Sequence, residues 1–280
     1  MFTGSQILRF SNMKQQNPQT IAVEESLRDF YNSKGWKADG EHSKDASLWE
    51  DTRNCAQEYV SRCRLRVCRY LPSQGNFILD AASGPVQYKE YLAYSSGFSK
   101  RICVDISEEA LKQAEAKLGN KGQYLQCSIL DLPLPTDHVD AAVSIHTIYH
   151  IEASAQEKAV RQLLRVTKPG HPLLVIYANP DRWSSRLARI LTFWLSRAPG
   201  EVYYHAHPLR WWRKFSDEAE VDIVTWRTLT AKVSRILIPD NKFGSLILRA
   251  LYQMEDRFPR LLLPFAAYPL IVLKKKKPTP

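Results

Sequence analysis

FILDAASGPVQ, residues 77–87, is the stretch on which the reading of the chain turns. Phe77, Ile78 and Leu79 form a short apolar run, the pattern of a parallel strand covered on both faces. Asp80 ends the run, Ala81, Ala82, Ser83 and Gly84 are all small, and after Pro85 a helical pattern begins at Val86. Strand, tight small-residue turn and helix let backbone N–H groups approach a ligand in the crevice at the carboxyl ends of the strands. Taken alone, the stretch reads equally well as an ordinary strand-to-helix turn.

The next apolar run, RICVDI at 101–106, again ends in an acid, Asp105. It lies 25 residues after Asp80, near the ~20-residue offset at which a carboxylate reaches a ribose. Strands and helices then alternate. Residues 124–127, 141–145 and 171–177 read as strands, and 86–94 and 156–166 as helices. Between 107 and 119 a helix is expected, capped by Ser107, with a buried stripe of Ala110, Leu111, Ala114 and Leu118 and Gly119 at its end. Such a rhythm predicts a doubly wound, mostly parallel α/β sheet. Ahead of it, 1–20 reads as a loose arm, 21–30 as a short helix and 31–36 as a loop. Residues 48–71 read as a helix with Arg53, Arg62, Arg64, Arg66 and Arg69 mostly on its outer side. Behind it, 181–208 is an aromatic insertion, 209–220 a helix, 221–229 a sixth strand, 236–265 a helical insertion and 268–273 a last, antiparallel strand.

In that order the pieces resemble the class I S-adenosylmethionine-dependent methyltransferases, of the ubiquinone/menaquinone small-molecule type. LDAASGP (79–85) resembles their first motif and VDIS (104–107) their second. CSILDLPLPTDHVDAAVSIHTIYHI (127–151) resembles the third and fourth strands, and RVTKPGHPLLVIY (165–177) the turn into the fifth. The likeness covers roughly 70–179. It implies a Rossmann-like, seven-stranded sheet with an antiparallel last strand and helical lid or cap insertions. Four regions follow: an N-terminal arm and cofactor-covering segment (1–45), the cofactor-binding core (46–180), an aromatic lid (181–208) and the rest of the sheet with a helical insertion and a basic tail (209–280). S-adenosylmethionine is the implied cofactor and S-adenosylhomocysteine the product. The resemblance gives Asp80, Ala81, Ser83 and Gly84 the methionine part, Asp105 the ribose hydroxyls and Ile106 the adenine face. Ser128 and Ile129 fall at the adenine edge, and Ser144 among the cofactor contacts. Two departures stand out: Gly84 alone remains of the usual glycines, and Ser128 replaces the acid four residues before the Leu-Pro pair.

The 280 residues, 44% hydrophobic, suffice for one core with an elaboration. The longest nearly apolar stretch, 261–273, is short and contains Pro264 and Pro269, so no membrane span is expected. No signal-peptide core is visible at the N-terminus, and five cysteines at non-metal spacings read as reduced thiols of a cytoplasmic protein. The net charge of +10 falls entirely after residue 181, since residues 1–181 hold 21 basic and 21 acidic side chains. That asymmetry suits an anionic group on the acceptor or weak contact with an anionic membrane, and equally a solvated face with a lysine tail.

Methyl transfer from a sulfonium requires alignment and, for a hydroxyl acceptor, loss of a proton. Candidates stand just after the fourth strand: His146 first, then His150, with Tyr149 between them. Tyr31 and Trp36 are expected to cover the site or to pack on the core. Tyr203, Tyr204, His205, His207 and Trp211 are expected to wall the acceptor, one of the Trp211–Trp212 pair lining the cavity. Pro199 and Gly200 interrupt the insertion as in a mobile lid. No metal site is expected, because no cysteine or carboxylate pairing accompanies these histidines. The favoured activity is O-methylation of a small molecule by a monomer or homodimer. The alternatives are N- or C-methylation, RNA methylation, and a degenerate, non-catalytic partner of the same fold. The absence of an Asn-Pro-Pro-aromatic motif and of an RNA-binding module argues against nucleic acid.

Overall fold

The computed structural model describes residues 7–9, 17–36, 38–39, 42–43, 49–183 and 202–277. Its strands are β1 (Ile7–Arg9), a two-residue hairpin β2 (Ala38–Asp39) and β3 (His42–Ser43), then β4 (Gly75–Ala81), β5 (Phe98–Asp105), β6 (Gly122–Gln126), β7 (Ala141–Ile145), β8 (Pro172–Ile176), β9 (Ala219–Arg227) and β10 (Tyr268–Lys275). Eight of them form one sheet in the order β1-β6-β5-β4-β7-β8-β10-β9. All pairs are parallel except those of β10, which runs antiparallel to both β8 and β9. The doubly wound sheet with an antiparallel last strand is therefore present, with one strand more than the seven expected. The extra strand is β1, inside the stretch read as a loose arm. It pairs with β6 from Ile7 opposite Tyr124 to Arg9 opposite Gln126, and Ile7 packs on the cluster of Tyr124 and Leu111.

The apolar runs are buried on both faces, as parallel strands between helices must be. In β8, Leu173 and Val175 join the core on one side of the sheet, while Leu174 and Ile176 join the other. The helices are α1 (Pro18–Phe30), α2 (Gln57–Leu65), α3 (Lys89–Leu92), α4 (Glu108–Leu118), α5 (Gln156–Val166), α6 (Ala231–Leu237) and α7 (Lys242–Arg257). In α4 the Ser107 hydroxyl accepts from the Ala110 amide at 3.1 Å, and Gly119 ends the helix with φ +50°.

Several expected helices are shorter. Val86 has φ +48°, a left-handed conformation that a helix cannot continue, so α3 starts only at Lys89. Residues 209–220 hold a 3-10 helix, Leu209–Phe215, before β9 takes over. Tyr31–Gly35 prolongs α1 as a π turn where a loop was expected. The arginine-rich stretch is α2 flanked by 3-10 turns Asn54–Ala56 and Arg66–Tyr70, and its arginines do not all face outward. Arg64 and Arg66 are buried. Arg64 Nη2 donates to Glu50 Oε2 at 2.9 Å and Arg66 Nη1 to Glu255 Oε2 at 3.2 Å. Helical periodicity placed them outside, and it does not register the carboxylates that draw them inward, Glu50 from 14 positions upstream and Glu255 from α7.

Candidate active site

One cavity of about 470 Å³ runs along the edge of the sheet where the parallel strands end. Its wall takes Asp105 at the end of β5 and Ile106 after it, Ala82 to Pro85 after β4, His146 and Thr147 after β7, Ala178 and Asn179 after β8, Tyr268 at the start of β10 and Arg227 at the end of β9. From β5 to β9 is five strand spacings, roughly 24 Å, so the site has two separable ends.

At the β4–β5 end, short-range backbone geometry does most of the positioning. Ala82 and Gly84 take φ +55° and +54°. The Gly84 amide donates to Asp105 Oδ2 at 2.9 Å, and the Ser107 amide to Asp105 Oδ1 at 2.8 Å. Burial pushes the Asp105 carboxyl up to about 6, despite the amides that hold it. Asp80 forms a buried ion pair with Arg101, whose Nε donates at 3.1 Å. Tyr31 and Trp36 stack at 4.8 Å, and a Cβ on Gly84 would lie 3.1 Å from the Trp36 ring. An indole plate thus rests on the glycine turn.

At the β7–β9 end, remote segments meet. Arg227 is buried, with Nη1 donating to Glu50 Oε1 at 2.5 Å and its guanidinium 5.0 Å from both the Trp226 and Tyr268 rings. Burial opposes charge on Glu50, yet Arg227 and then Arg64 outweigh it and hold the carboxyl below the ordinary range. His146 sits against Tyr268 at 4.8 Å and Trp226 at 5.1 Å, with a left-handed φ of +58°. Burial, reinforced by the Arg227 charge, lowers it to about 3, so its imidazole is neutral, and its Nδ1 is buried without a hydrogen-bond partner. His150 is arranged differently. Its Nδ1 donates to the Tyr203 carbonyl at 2.7 Å, which selects the tautomer with an unprotonated Nε2, and burial lowers its pKa as well.

Of the residues expected to contact cofactor or acceptor, the cavity wall includes Asp80, Ser83, Gly84, Asp105, Ile106, Tyr31, Trp36, His146, Tyr149, His150 and Tyr204. Ala81, Ser128, Ile129 and Ser144 are not among its lining residues. Ala81 belongs to the strand, and its neighbour Ala82 faces the cavity instead. Ser128 is turned to α1, where its hydroxyl bonds Glu24, and Ser144 is fully buried in β7. Tyr203, His205, His207 and Trp211 also stand behind the wall. His207 stacks on Trp211 at 4.7 Å, Trp212 is the core residue of the pair, and the His205 carbonyl accepts from Gln156 Nε2 at 2.8 Å. These contacts tie 203–207 to α5 and to Tyr177 just after β8, with Val202 and Tyr204 reaching the cavity. The stretch around Pro199 and Gly200 that suggested a mobile lid lies outside the described residues. Glu50, Tyr88, Arg227 and Tyr268 line the cavity without having been foreseen. For Arg227 a signal existed, a lone arginine late in a mostly apolar strand, but nothing local tied it to Glu50. Among the described residues no group of histidines, cysteines or carboxylates could hold a metal ion, and all five cysteines are free.

Residues 79–175 match the family described as "Methyltransferase domain". The ubiquinone/menaquinone biosynthesis C-methyltransferase UbiE of Ectopseudomonas mendocina is 32% identical over 111 residues, 36% of this chain and 41% of that protein. Its counterpart in Shewanella sediminis is 29% identical over 114 residues, 38% of this chain and 45% of that protein. The matched stretch thus spans less than half the length of these curated relatives. Among solved structures, the DhpI–SAM–HEP complex superposes with a TM-score of 0.55 at 11% identity, covering 90% of this chain and 97% of that one. A methyltransferase solved in complex with the Haloferax volcanii Trm112 activator gives 0.52 at 17% identity, covering 78% and 90%. At these identities the superpositions establish the fold.

Proposed function

We propose that the chain, whose residues 79–175 match a methyltransferase family, is a class I S-adenosylmethionine-dependent methyltransferase that methylates a hydroxyl oxygen of a small acceptor held at the β7–β9 end of the cavity. The observation that carries the reading is the continuity of one cavity from the Gly84–Asp105 turn to His146, His150 and Arg227.

The residues present fit the cofactor. The buried Asp105 carboxyl, on the wall beside a glycine turn, suits a pair of ribose hydroxyl donors. Tyr31, Trp36 and Ile106 offer flat or apolar surface to adenine, with Leu27 on the same wall in place of Ser128 and Ile129. When bound, S-adenosylmethionine supplies an electrophilic methyl group on a sulfonium. The protein's own part is to exclude water, align the acceptor oxygen and take its proton. His150 is the better base of the two candidates. The Tyr203 carbonyl fixes its Nδ1–H, leaving Nε2 to accept. His146, held neutral beside the Arg227 cation, would give up stability on protonation, so its role is to shape and orient. This reverses the order expected from position along the chain.

C-methylation is the second reading, favoured by the likeness to UbiE, a C-methyltransferase. It needs the same base, acting on a phenol that delivers electron density to ring carbon. Calorimetric titration with S-adenosylmethionine, then incubation of a phenol panel with methyl-labelled cofactor and NMR location of the label, tests both. Absence of cofactor binding would overturn the proposal, and label on carbon would select the second reading.

A further inference from the structure

The corner joining α6 to α7 exposes large apolar side chains beside the cavity. Ile236 and Leu237 at the end of α6 are 70% and 66% exposed, and Phe243 and Leu246 at the start of α7 are 64% and 58% exposed. On α7 this is a second stripe. Gly244, Leu248, Tyr252 and Glu255 make the buried face, and Phe243, Leu246, Ala250 and Met254 recur at three- and four-residue steps on another. The corner is tightly packed: a Cβ on Gly244 would lie 1.9 Å from the Pro239 carbonyl oxygen.

Trp49 ties this corner to the site. It is 65% exposed yet lines the cavity, so it stands at the mouth. Its neighbour Glu50 accepts from Arg235 of α6 through its carbonyl, and Arg53 Nη1 donates to the Ile238 carbonyl at 2.7 Å. Thr230, which caps α6 by accepting from the Val233 amide, lines the cavity as well. The charge around the patch is basic. Lys232 and Lys242 flank it and make no ion pair among the described residues. Asp240, the acid between the helices, accepts from the Cys55 amide at 3.2 Å. Monomer surfaces seldom leave a cluster of large apolar groups on one corner without a partner, and exposed apolar residues flanked by lysines complement an anionic bilayer.

We infer that the α6–α7 corner, with Trp49, docks on an anionic lipid surface and holds the cavity mouth at the bilayer, from which an apolar acceptor can enter. The inference does not rest on methyl transfer, since docking is measured without turnover. Sedimentation of the full chain with phosphatidylcholine vesicles, and with vesicles of 70% phosphatidylcholine and 30% phosphatidylglycerol, at low and high salt, tests it. The expected result is binding to the anionic vesicles that weakens at high salt. It should fall at least tenfold in Phe243→Glu/Leu246→Glu and severalfold in Lys232→Glu/Lys242→Glu, with S-adenosylhomocysteine affinity unchanged in both. The lysine pair is wholly at the surface, so it remains informative if the apolar pair fails to fold. A wild-type chain that stays in solution with anionic vesicles, or one whose binding ignores both variants, overturns the inference. So does a lipid-free dimer in sedimentation velocity that the apolar variant dissolves, because the patch would then belong to a second copy of the chain.

Discussion

The two ends of the cavity are built by different physics. At the β4–β5 end, Gly84, Asp105 and Ser107 lie within 24 residues, and the carboxylate is positioned by two backbone amides. At the β7–β9 end, Glu50, Arg64, His146, Arg227 and Tyr268 come from five separate segments, joined by ion pairs and ring edges in the interior. The first end is set by local backbone geometry, and its turn holds Ala82 as well as Gly84 in a left-handed conformation. The second depends on charges that have left water, where each partner is needed to offset the desolvation of the other.

The largest expected effect is on turnover. His150→Ala should lower it ~10²–10⁴-fold, the usual worth of a positioned base. As the base, His150 must be neutral, so wild-type activity should fall as pH drops through a pKa depressed below the ordinary ~6.5, and this limb should vanish in the variant. His146→Ala should cost less and leave the limb in place, since a group lowered to about 3 does not titrate in the working range. If His146→Ala removes the limb and His150→Ala keeps it, their assigned roles are exchanged.

Next comes Glu50→Ala, which strands Arg227 in the interior and leaves Arg64 only the longer pair with Glu90, and it should destabilise the fold by ~3–5 kcal/mol in denaturant titration. Glu50 has a lowered folded pKa, so its contribution is present above its unfolded value of ~4.3 and is lost as pH falls below it. A loss under 1 kcal/mol would mean that water screens the pair.

Asp105→Asn should weaken cofactor binding at least tenfold at pH 8, through loss of charge-assisted hydrogen bonds worth ~1.5–3 kcal/mol each. The free-protein carboxyl titrates at about 6, so wild-type affinity should rise with pH up to about that value and level off above it, while the asparagine variant stays flat. Stability of the free protein has the opposite slope at this residue. The folded state holds the proton more tightly than the unfolded chain, so its share of stability declines as pH rises from ~4 to about 6. A flat wild-type affinity profile would remove the carboxylate from the ribose.

The smallest effect expected is at Trp36→Ala. It deletes one stacked pair, worth ~0.5–1.5 kcal/mol, and should weaken cofactor affinity about three- to tenfold while turnover at saturation stays near wild type. A change of a hundredfold or more would show that the indole, and not the turn beneath it, organises the first end.

What the chain's order of residues determined by itself was the sheet and its ligand edge. Apolar runs such as Ile78–Leu79 and Leu173–Ile176 must be covered on both faces, the turns between them leave few topologies, and the carboxyl ends of adjacent parallel strands then meet. Gly84 and Asp105 were legible for that reason, being separated by one helix and one strand. The tertiary structure decided the rest. Val86 in a left-handed conformation shortened α3, β1 added itself to an edge that no local pattern marked, and Ser128 turned to α1 instead of the cavity. It also drew Arg64 inward, set Arg227 on Glu50 across 177 positions, and aimed His150 through a carbonyl 53 positions away. Periodicity records which face of an element is apolar, but a buried charge is placed by its partner, and that partner exists only once the fold has brought two distant segments together.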